Sequence, residues 1–395
     1  MYHRYMRTVA VVTTSRADYS HLYWVLRELD ASAEIELRLI VAGAHLSPTF
    51  GMTVRQIEAD GFRIDARVEC LLSSDTDVGM AKTIGTATLG LADVLGVMRP
   101  DLLLLIADRY EMLAPSAVAL ALRIPVAHIE GGEVSEGAID QAVRNALTAM
   151  SHVHLAPTAT AARRLAEMGE EEWRVHQVGA PSLDHLRRSR LPSRDELEKE
   201  LQLSLAEPPV VVAAHPVTLA RNTTREADAL FEALAQVERA LLFCFPNSDA
   251  GGHELIERSK DFCSERSGAR LFVNLDPTLY WGLLREAAAL VGNSSSGIME
   301  APSLVLPVVN IGMRQQGRDR AANIIDVEPD VAAIVVAIAR ALSSEFRASL
   351  KDMQNPYGDG DSAARIVRIL ESVPLGEELL LKRARTVAET PLASA

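Results

Sequence analysis

The chain has 395 residues, of which 48% are hydrophobic and 24% charged, so it is long enough for two globular domains. Its formal net charge of −13 argues against nucleic-acid binding, which usually needs a basic surface. Three cysteines without a Cys-x-x-Cys pair provide no zinc framework and suit a reducing compartment. The first apolar run is too short for a signal peptide or a membrane span, so we expect a cytoplasmic protein that contacts no membrane.

Short apolar runs alternate with amphipathic stretches along nearly the whole chain. In the first half, the runs expected as buried parallel strands are residues 8–14, 37–42, 102–106 and 125–129. The helices expected there are residues 19–29, 77–95, 114–122 and 139–150. In the second half, the expected strands are residues 210–214, 240–245, 269–273, 288–291 and 307–311. This alternation predicts an α/β protein with doubly wound parallel sheets.

A charged segment without a strand, residues 186–202, separates the two halves of the chain. Its Ser-x-x-Glu pattern at Ser193 predicts a helix start, so we interpret the segment as a linker and the first helix of a second domain. We expect two Rossmann-like domains, residues 1–185 and 186–375, facing each other across a cleft. The tail at 376–395 is expected to form an accessory helix followed by a disordered end.

Polar residues should mark the ligand site where they directly follow strands, because ligands of open parallel sheets bind beyond the carboxyl ends of the strands. After the first strand, Arg16 lies where a helix opens and can bind phosphate, whereas Ser15 or Asp18 could simply cap that helix. His45 follows the second strand, either as a structural hydrogen-bonding group or as a residue of the crevice. The glycine fingerprints of dinucleotide and P-loop sites are absent.

Acidic residues crowd after the next two strands. Asp108 and Arg109 follow residues 102–106, where they could also form a surface ion pair. The stretch after residues 125–129 reads HIEGGEVSEGAIDQAVR, which places four carboxylates around two glycines. Its Asp140 and Arg144 are four residues apart on a predicted helix and could form an ion pair. Crowded carboxylates tend to raise at least one pKa, as general acid–base catalysis requires, so we interpret the group Asp108, Glu130, Glu133 and Asp140 as functional.

The second half repeats the pattern of polar residues after strands. His215 follows residues 210–214, and Asn247 follows residues 240–245. The segment GNSSSGIME, residues 292–300, joins a strand to a helix, so its amide and hydroxyl groups can bind a phosphate or simply cap the helix. Glu300 on the same helix could accept the two hydroxyls of a ribose. Arg314 and Arg318 follow the next strand and could hold this loop or reach a ligand.

Eight motifs occur together in this chain: SRADYS (15–20), GAHL (43–46), ADRYE (107–111), HIEGGEVSEGAID (128–140), AHPVT (214–218), FPNSDAG (245–251), GNSSSGIME (292–300) and the loop at 312–318. Their order and spacing resemble the hydrolysing UDP-N-acetylglucosamine 2-epimerases. The resemblance is to the branch that makes N-acetylmannosamine or related sugars for sialic-acid-type nonulosonates, and it covers about residues 8–372.

The resemblance implies the two-domain fold of GT-B glycosyltransferases, a homodimer and a reaction without cofactor or metal. The expected reaction eliminates UDP to give a 2-acetamidoglucal and then adds water with inversion at C2. By resemblance, the catalytic carboxylates are Asp108, Glu130 and Asp140, supported by Glu133, Arg144 and His215. The nucleotide or phosphate contacts implied in the same way are Arg16, Ser20, Arg109, Asn247, Ser294, Ser295, Glu300 and Arg314, whereas His45 is included only for its place at the crevice.

Two departures from the family pattern are visible. Ala107 stands where many relatives have glycine, and the spacing between the Gly-Gly pair and Asp140 resembles bacterial members, including ones that act on a 2,4-diacetamido-6-deoxy sugar. The sugar is therefore open between UDP-N-acetylglucosamine and such a diacetamido compound. Two other functions remain open, a GT-B glycosyltransferase and a catalytically inactive sugar-nucleotide sensor.

Overall fold

The computed structural model describes residues 6–72, 76–135, 139–215, 225–245, 252–273 and 275–383. Their strands form two parallel sheets, one of seven strands and one of six. This arrangement confirms the expected α/β class with two doubly wound sheets. No helix within these ranges has both the length and the apolar character that a membrane crossing needs.

The first sheet has the strand order β3-β2-β1-β4-β5-β6-β7. Its strands are β1 (Arg7–Thr13), β2 (Ile35–Ala42), β3 (Ile64–Val68), β4 (Leu102–Ile106), β5 (Val126–Ile129), β6 (Val153–Ala156) and β7 (Val175–Gln177). The helices in this part of the chain are α1 (Arg16–Ala31), α2 (Val54–Ala59), α3 (Asp77–Met98), α4 (Leu113–Leu122), α5 (Asp140–Met150), α6 (Ala159–Glu167) and α7 (Leu183–Arg188). All residues of β4 are buried, as expected for a central strand covered on both faces.

The second sheet has the order β10-β9-β8-β11-β12-β13. Its strands are β8 (Val210–Ala213), β9 (Leu241–Phe245), β10 (Ala269–Val273), β11 (Ala289–Gly292), β12 (Val308–Ile311) and β13 (Ile324–Val327). The remaining helices are α8 (Arg194–Leu201), α9 (Arg225–Leu234), α10 (Gly252–Glu265), α11 (Pro277–Glu286), α12 (Ser295–Met299), α13 (Val331–Ala341), α14 (Ser344–Ser349), α15 (Ser362–Ser372) and α16 (Glu377–Leu380).

Strands β3, β6, β7 and β13 were not expected from the sequence. They are three to five residues long and carry charged or imidazole side chains, as in IDARV and VHQ, so they lack the continuous apolar run typical of a buried strand. The helix start at Ser193 is confirmed as a capping box. Ser193 accepts from the Glu196 amide at 3.3 Å, and Glu196 accepts from the Ser193 amide at 2.8 Å.

The C-terminal part of the chain returns to the first sheet. Helix α15 packs on α1, and its apolar face joins the first core through Ala363, Ile366, Val367 and Leu370. Buried Asp184 of α7 accepts hydrogen bonds from the first two amides of α15, at 2.9 and 2.8 Å. The expected division placed residues up to 375 in the second domain. In the structure, α15 packs on the first sheet instead. The amphipathic pattern of α15 indicates that the helix covers a core, but it does not indicate which of the two sheets the helix packs on.

A segment we call the strap, residues 376–383, follows α15 and lies against the first domain. Arg174, whose side chain is fully buried, donates to the carbonyl oxygens of Glu378, Leu379 and Leu381 at 2.7–3.2 Å. Lys382 donates to the carbonyls of Thr148 and Ala149, at the end of α5. The strap contains the accessory helix expected in the tail, whereas the expected disordered end, from residue 384 on, lies outside the described residues.

Replacing Arg174 with methionine should release the strap. The substitution removes the donor from the carbonyls of His152 and Leu379, whose hydrogen bonds with Arg174 are buried, so the free energy of unfolding should fall by about 3 kcal/mol or more. Amide hydrogens of the strap should exchange faster with solvent, as measured by mass spectrometry. Arg163→Met is the matched control, because Arg163 is exposed and forms an exposed hydrogen bond with Thr160, so its replacement should change stability by less than about 0.5 kcal/mol. Unchanged exchange in the strap of Arg174→Met would contradict this account.

Candidate active site

In each sheet the order of the strands reverses next to the strand that comes first in the chain, β1 or β8. The expected polar residues lie at these two points. In the first sheet β1 lies between β2 and β4, and in the second β8 lies between β9 and β11. The residues that follow β1, β4, β8 and β11 therefore meet at the crevices where ligands of doubly wound sheets bind. These residues include Arg16, Asp108, His215 and Ser294.

Arg144 of α5 organises the acidic group in the first domain. One of its terminal nitrogens contacts the Asp108 carboxylate and also donates to the Ser135 hydroxyl at 3.1 Å. The other donates to the Glu130 carbonyl at 2.7 Å. Arg144 therefore pairs with Asp108 rather than with Asp140 in the described structure, and it ties the ends of β4 and β5 to one side chain.

Two residues of this group have a left-handed backbone. The φ angle is +60° at Ala107 and +65° at Glu130, a region that costs a residue with a Cβ atom about 1–2 kcal/mol. The Ala107 amide donates to the Ile129 carbonyl at 3.0 Å, and the Ala107 carbonyl accepts from the neutral His128 ring at 2.7 Å. These two hydrogen bonds hold the peptide groups on either side of Ala107. The backbone turns sharply at Ala107 after β4 and at Glu130 after β5, and these turns direct Asp108 and Glu130 into the crevice.

His21 of α1 lies beside Glu130. Its Nδ1 atom is 3.0 Å from Glu130 Oε1. Burial alone would raise the pKa of Glu130, but the charge and hydrogen bond of His21, with help from Arg144, hold that pKa below its ordinary value. The pKa of Asp108 is likewise held low, since Arg144 and Arg318 outweigh the effect of burial. Both carboxylates are therefore ionised near neutral pH.

Asp140, at the start of α5, behaves differently. Burial and the nearby negative charge of Asp108 raise its pKa to about 6, although Arg314, Arg144 and Arg109 oppose the shift. A carboxyl group with this pKa exchanges its proton readily near neutral pH. The site thus combines two carboxylates that stay ionised with one that changes its protonation state, which is the division that acid–base catalysis by several carboxylates requires.

A contact between the two halves of the chain closes over the Gly-rich loop, residues 130–135. Arg318, after β12, donates to the Val134 carbonyl at 2.9 Å, and its Nε atom is 3.7 Å from the Glu133 carboxylate. The fully buried Tyr357 donates its hydroxyl to the same carboxylate at 3.1 Å. Glu133 is therefore held by two residues that come from beyond the first sheet, and its pKa is raised mainly by burial.

In the second domain, Asn293 connects three segments. Its side-chain oxygen accepts from the His215 amide at 2.7 Å, and its side-chain nitrogen donates to the His215 carbonyl at 2.9 Å. Its own carbonyl accepts from Arg314 and Gln315 at 3.1 and 2.8 Å. These bonds fix the expected residues His215 and Arg314 next to the segment that begins α12. Ser294 caps this helix, and Ser294 and Ser295 are partly exposed.

The remaining expected contacts lie in different surroundings. Arg16 donates to the Leu275 carbonyl of the second domain at 2.9 Å. With Ser20 it lines a cavity of about 420 Å³ between α1, the segment 185–190 and the start of α11. Arg109 pairs with Glu111 at 2.9 Å rather than with Asp108, and Glu300 is buried at the end of α12. Asn247 lies outside the described residues.

His45 has a structural environment. It is fully buried, and its two ring nitrogens bond to the hydroxyls of Thr13 and Thr53 at 2.9 and 2.7 Å. Burial lowers its pKa to about 4, so the ring is neutral. Asp18 accepts hydrogen bonds from the amides and hydroxyls of Thr14 and Ser15, in agreement with the capping alternative.

Sequence reasoning missed three residues that the structure places at the site. His21 follows the Arg16 motif on the first turns of α1, a position from which a helix facing the crevice could have been expected to contribute. Ser135 lies three residues after the two glycines, in the stretch whose spacing alone is compared with the family pattern. Tyr357 gave no local signal, because it lies in an irregular segment far along the chain. Within the described ranges, no cluster of three or more His, Cys, Asp or Glu residues is arranged to bind a metal.

Replacing Ala107 with glycine should stabilise the protein. The glycine removes the strain of a left-handed alanine, and this gain exceeds the entropy that glycine loses on folding, for a net rise of about 0.5–1 kcal/mol in the free energy of unfolding. Urea unfolding measures the change. Ala81→Gly on the exposed side of α3 is the control and should lower stability by about 1 kcal/mol. A loss of stability in both variants would show that the strain at Ala107 is relieved elsewhere.

Comparison with known proteins gives a consistent result. The family model described as UDP-N-acetylglucosamine 2-epimerase matches residues 27–371. A protein of Campylobacter jejuni named GDP/UDP-N,N'-diacetylbacillosamine 2-epimerase (hydrolyzing) is 36% identical over 82% of this chain and 84% of its own. A protein of Legionella pneumophila named UDP-N,N'-diacetylbacillosamine 2-epimerase (hydrolyzing) is 35% identical over 95% and 99%.

The fold is also similar to solved structures. The UDP-GlcNAc 2-epimerase of Neisseria meningitidis, solved bound to UDP-GlcNAc, superposes with a TM-score of 0.77 at 19% identity, covering 92% of this chain and 99% of that one. This likeness confirms the expected GT-B-like arrangement of the two Rossmann-like domains. The match of the family model across both domains, together with the two relatives above 30% identity, shows that the chain belongs to the UDP-N-acetylglucosamine 2-epimerase family.

Proposed function

We propose that the protein hydrolyses a UDP-2-acetamido sugar to UDP and the free sugar inverted at C2. The observation that carries this proposal is the set of three carboxylates at the ends of β4 and β5 and the start of α5. Asp108 and Glu130 are held ionised, while Asp140 has a pKa of about 6. A nucleotide-binding site on a GT-B fold needs no such group, whereas a reaction with two proton transfers at carbon does.

The chemistry requires proton transfer in two steps. Elimination of UDP removes the C2 proton while the anomeric C–O bond breaks, and it gives a 2-acetamidoglucal. Hydration then adds a proton at C2 from the opposite face and a water oxygen at C1. The ionised Asp108 and Glu130 suit the acceptance of protons from carbon and from water, and Asp140 suits the donation and recovery of a proton.

The leaving diphosphate needs positive charge and hydrogen-bond donors. In this proposal Arg16, Arg109 and Arg314 supply the charge, and Ser294 and Ser295 supply hydroxyl donors at the start of α12. Glu300 accepts from the ribose hydroxyls. The support is the position of these residues at strand ends, after β1 and β4 in the first sheet and after β11 and β12 in the second. Asn247 and His215 complete the set by resemblance.

For the sugar, we propose a UDP-2,4-diacetamido-2,4,6-trideoxyhexose ahead of UDP-N-acetylglucosamine. Two relatives at 35–36% identity are named for diacetylbacillosamine, and relatives named for UDP-N-acetylglucosamine or polysialic acid biosynthesis are 31% identical. The free sugar would be the manno-configured precursor of a sialic-acid-type nonulosonate. We place the reaction in the cytoplasm, where UDP-sugars are made.

Incubation with each UDP-sugar in deuterium oxide tests the reaction. The expected products by NMR are UDP and a free manno-configured sugar with deuterium at C2, formed faster from the diacetamido substrate. Transfer of the sugar to an added acceptor would instead identify a glycosyltransferase. Intact substrate after prolonged incubation with every donor would contradict the proposal and favour a sensor.

Neutral substitutions test the carboxylates. Asp108→Asn, Glu130→Gln and Asp140→Asn should each lower turnover by at least about 10²-fold, because each removes one acid–base group. Glu200→Gln on the exposed face of α8 is the matched control and should keep full turnover. Near-normal turnover in any of the three site variants would remove that residue from the mechanism.

We also propose a homodimer that buries the exposed apolar side of α3. Leu89 and Val97 of this helix are 73% and 89% exposed, and Leu120 of the adjoining α4 is 57% exposed. An apolar face of this kind is typical of a subunit interface. Helices α3 and α4 pack against each other, so the proposed interface draws on both.

Leu89→Glu should convert the dimer to a monomer, because it places a charge in the proposed interface. Sedimentation equilibrium measures the molecular mass in solution. Val336→Glu is the control, since Val336 is similarly exposed on α13 of the second domain and the change should leave the mass unaltered. A wild-type protein that is monomeric at micromolar concentration would contradict the proposed dimer.

A further inference from the structure

His21 occupies a position between the acidic groups of the two domains. It lies on the second turn of α1, and its side chain is 28% exposed, against 8% for Glu130. The ring is therefore largely enclosed but open on one side to the crevice. Its Nδ1 atom lies 3.0 Å from Glu130 Oε1, which is a hydrogen bond of ordinary length.

The backbone of Glu130 is held independently of this contact. Its amide donates to the Leu155 carbonyl at 3.0 Å, and its carbonyl accepts from Arg144 at 2.7 Å. These bonds fix where the side chain begins but not where the carboxylate points. In the described part of the chain, the hydrogen bond to the carboxylate itself comes from His21. The direction of the carboxylate therefore depends on this histidine.

Three carboxylates from three elements act on His21. Glu130 faces it from the loop after β5, Glu300 from the end of α12 and Asp18 from its own helix. His185 of α7 also lies near His21, and burial lowers the pKa of the His185 ring to about 4, so it is neutral. Burial alone would lower the pKa of His21, but Glu130, Glu300 and Asp18 raise it to about 9. His21 is therefore an imidazolium at neutral pH.

We propose that His21 is a positioning residue for Glu130. The imidazolium of His21 holds the Glu130 carboxylate ionised and in one orientation towards the sugar. The inference rests on the proposed function only where it assigns Glu130 to proton transfer. It adds a residue from the first helix of the chain to the catalytic group at the ends of β4 and β5. Because Glu300 also faces the ring, the same cation lies between the sugar and ribose ends of the proposed substrate.

The effect on the reaction has a definite sign. Without the His21 cation, burial and the Asp108 charge raise the pKa of Glu130, and Arg144 is left to oppose them among the described groups that act on this carboxylate. A base must be ionised to act, so activity is lost as the pH falls through the pKa of that base. A higher pKa at Glu130 therefore moves the acid limb of the pH profile to higher pH. A purely structural role of His21 would lower activity at all pH values without moving the limb.

NMR titration of the histidine rings tests the contact without any substrate. The His21 signal, assigned from its loss in His21→Gln, should titrate near pH 9 in the unliganded protein. In Glu130→Gln its pKa should fall clearly below 9, because burial is then opposed only by the weaker influence of Glu300 and Asp18. An unchanged pKa in Glu130→Gln, or titration near 6.5 in the unsubstituted protein, would overturn the proposal. This result is independent of whether the protein turns over any UDP-sugar.

The pH dependence of kcat/KM tests the consequence for catalysis. His21→Gln should shift the acid limb upward by about one pH unit or more, and His21→Lys should restore it because lysine keeps the positive charge. His176→Gln, a histidine of the edge strand β7, is the matched control and should leave the limb in place. Circular dichroism verifies that each variant is folded. An unshifted limb in folded His21→Gln, or no restoration by lysine, would contradict the role of the cation.

Discussion

The structure of the site depends on one buried guanidinium group. Arg144 is almost completely enclosed, and a buried charge is tolerated only when its donors are matched by acceptors. Those acceptors are Asp108 after β4, the carbonyl of Glu130 after β5 and Ser135 beyond the glycines. Satisfying this single cation therefore fixes the relative positions of two strand ends and a loop. The same charge holds Asp108 ionised, whereas the pKa of Asp140 is raised by burial and by Asp108.

Contacts across the cleft extend this arrangement into the second domain. Arg318 donates to the Val134 carbonyl, and Tyr357 donates to the Glu133 carboxylate. Arg314, from the opposite side, opposes the rise in the pKa of Asp140. The acidic residues are thus placed by the first domain, while their charges are balanced partly by the second. A change in the separation of the domains would alter the protonation of the acids as well as the space for substrate.

The sequence allowed the class of fold and most of the crevice to be predicted, because buried parallel strands are apolar runs and ligands bind where such runs end. Asp108 and Glu130 were found in this way. The pairing of Arg144 with Asp108 was not found in this way. A spacing of four residues on a helix favours Asp140 as the partner, whereas in the fold Arg144 contacts Asp108 at the end of β4. For His45, the sequence left open a structural role and a place in the crevice. It follows a strand, yet two threonine hydroxyls enclose it, and no pattern in the sequence distinguishes a buried ring from a ligand contact.

The return of α15 and the strap to the first sheet has a consequence for synthesis of the chain. Ala363, Ile366, Leu370 and Leu379 belong to the same core as β1 and α1, so the domain that contains β1 lacks part of its interior until residues 363–379 have left the ribosome. The second sheet, by contrast, lies wholly between residues 210 and 327. Domains usually fold in the order in which they are made. Here the order is expected to be reversed, with the inserted domain complete first and the N-terminal domain finished by its own C-terminal helix.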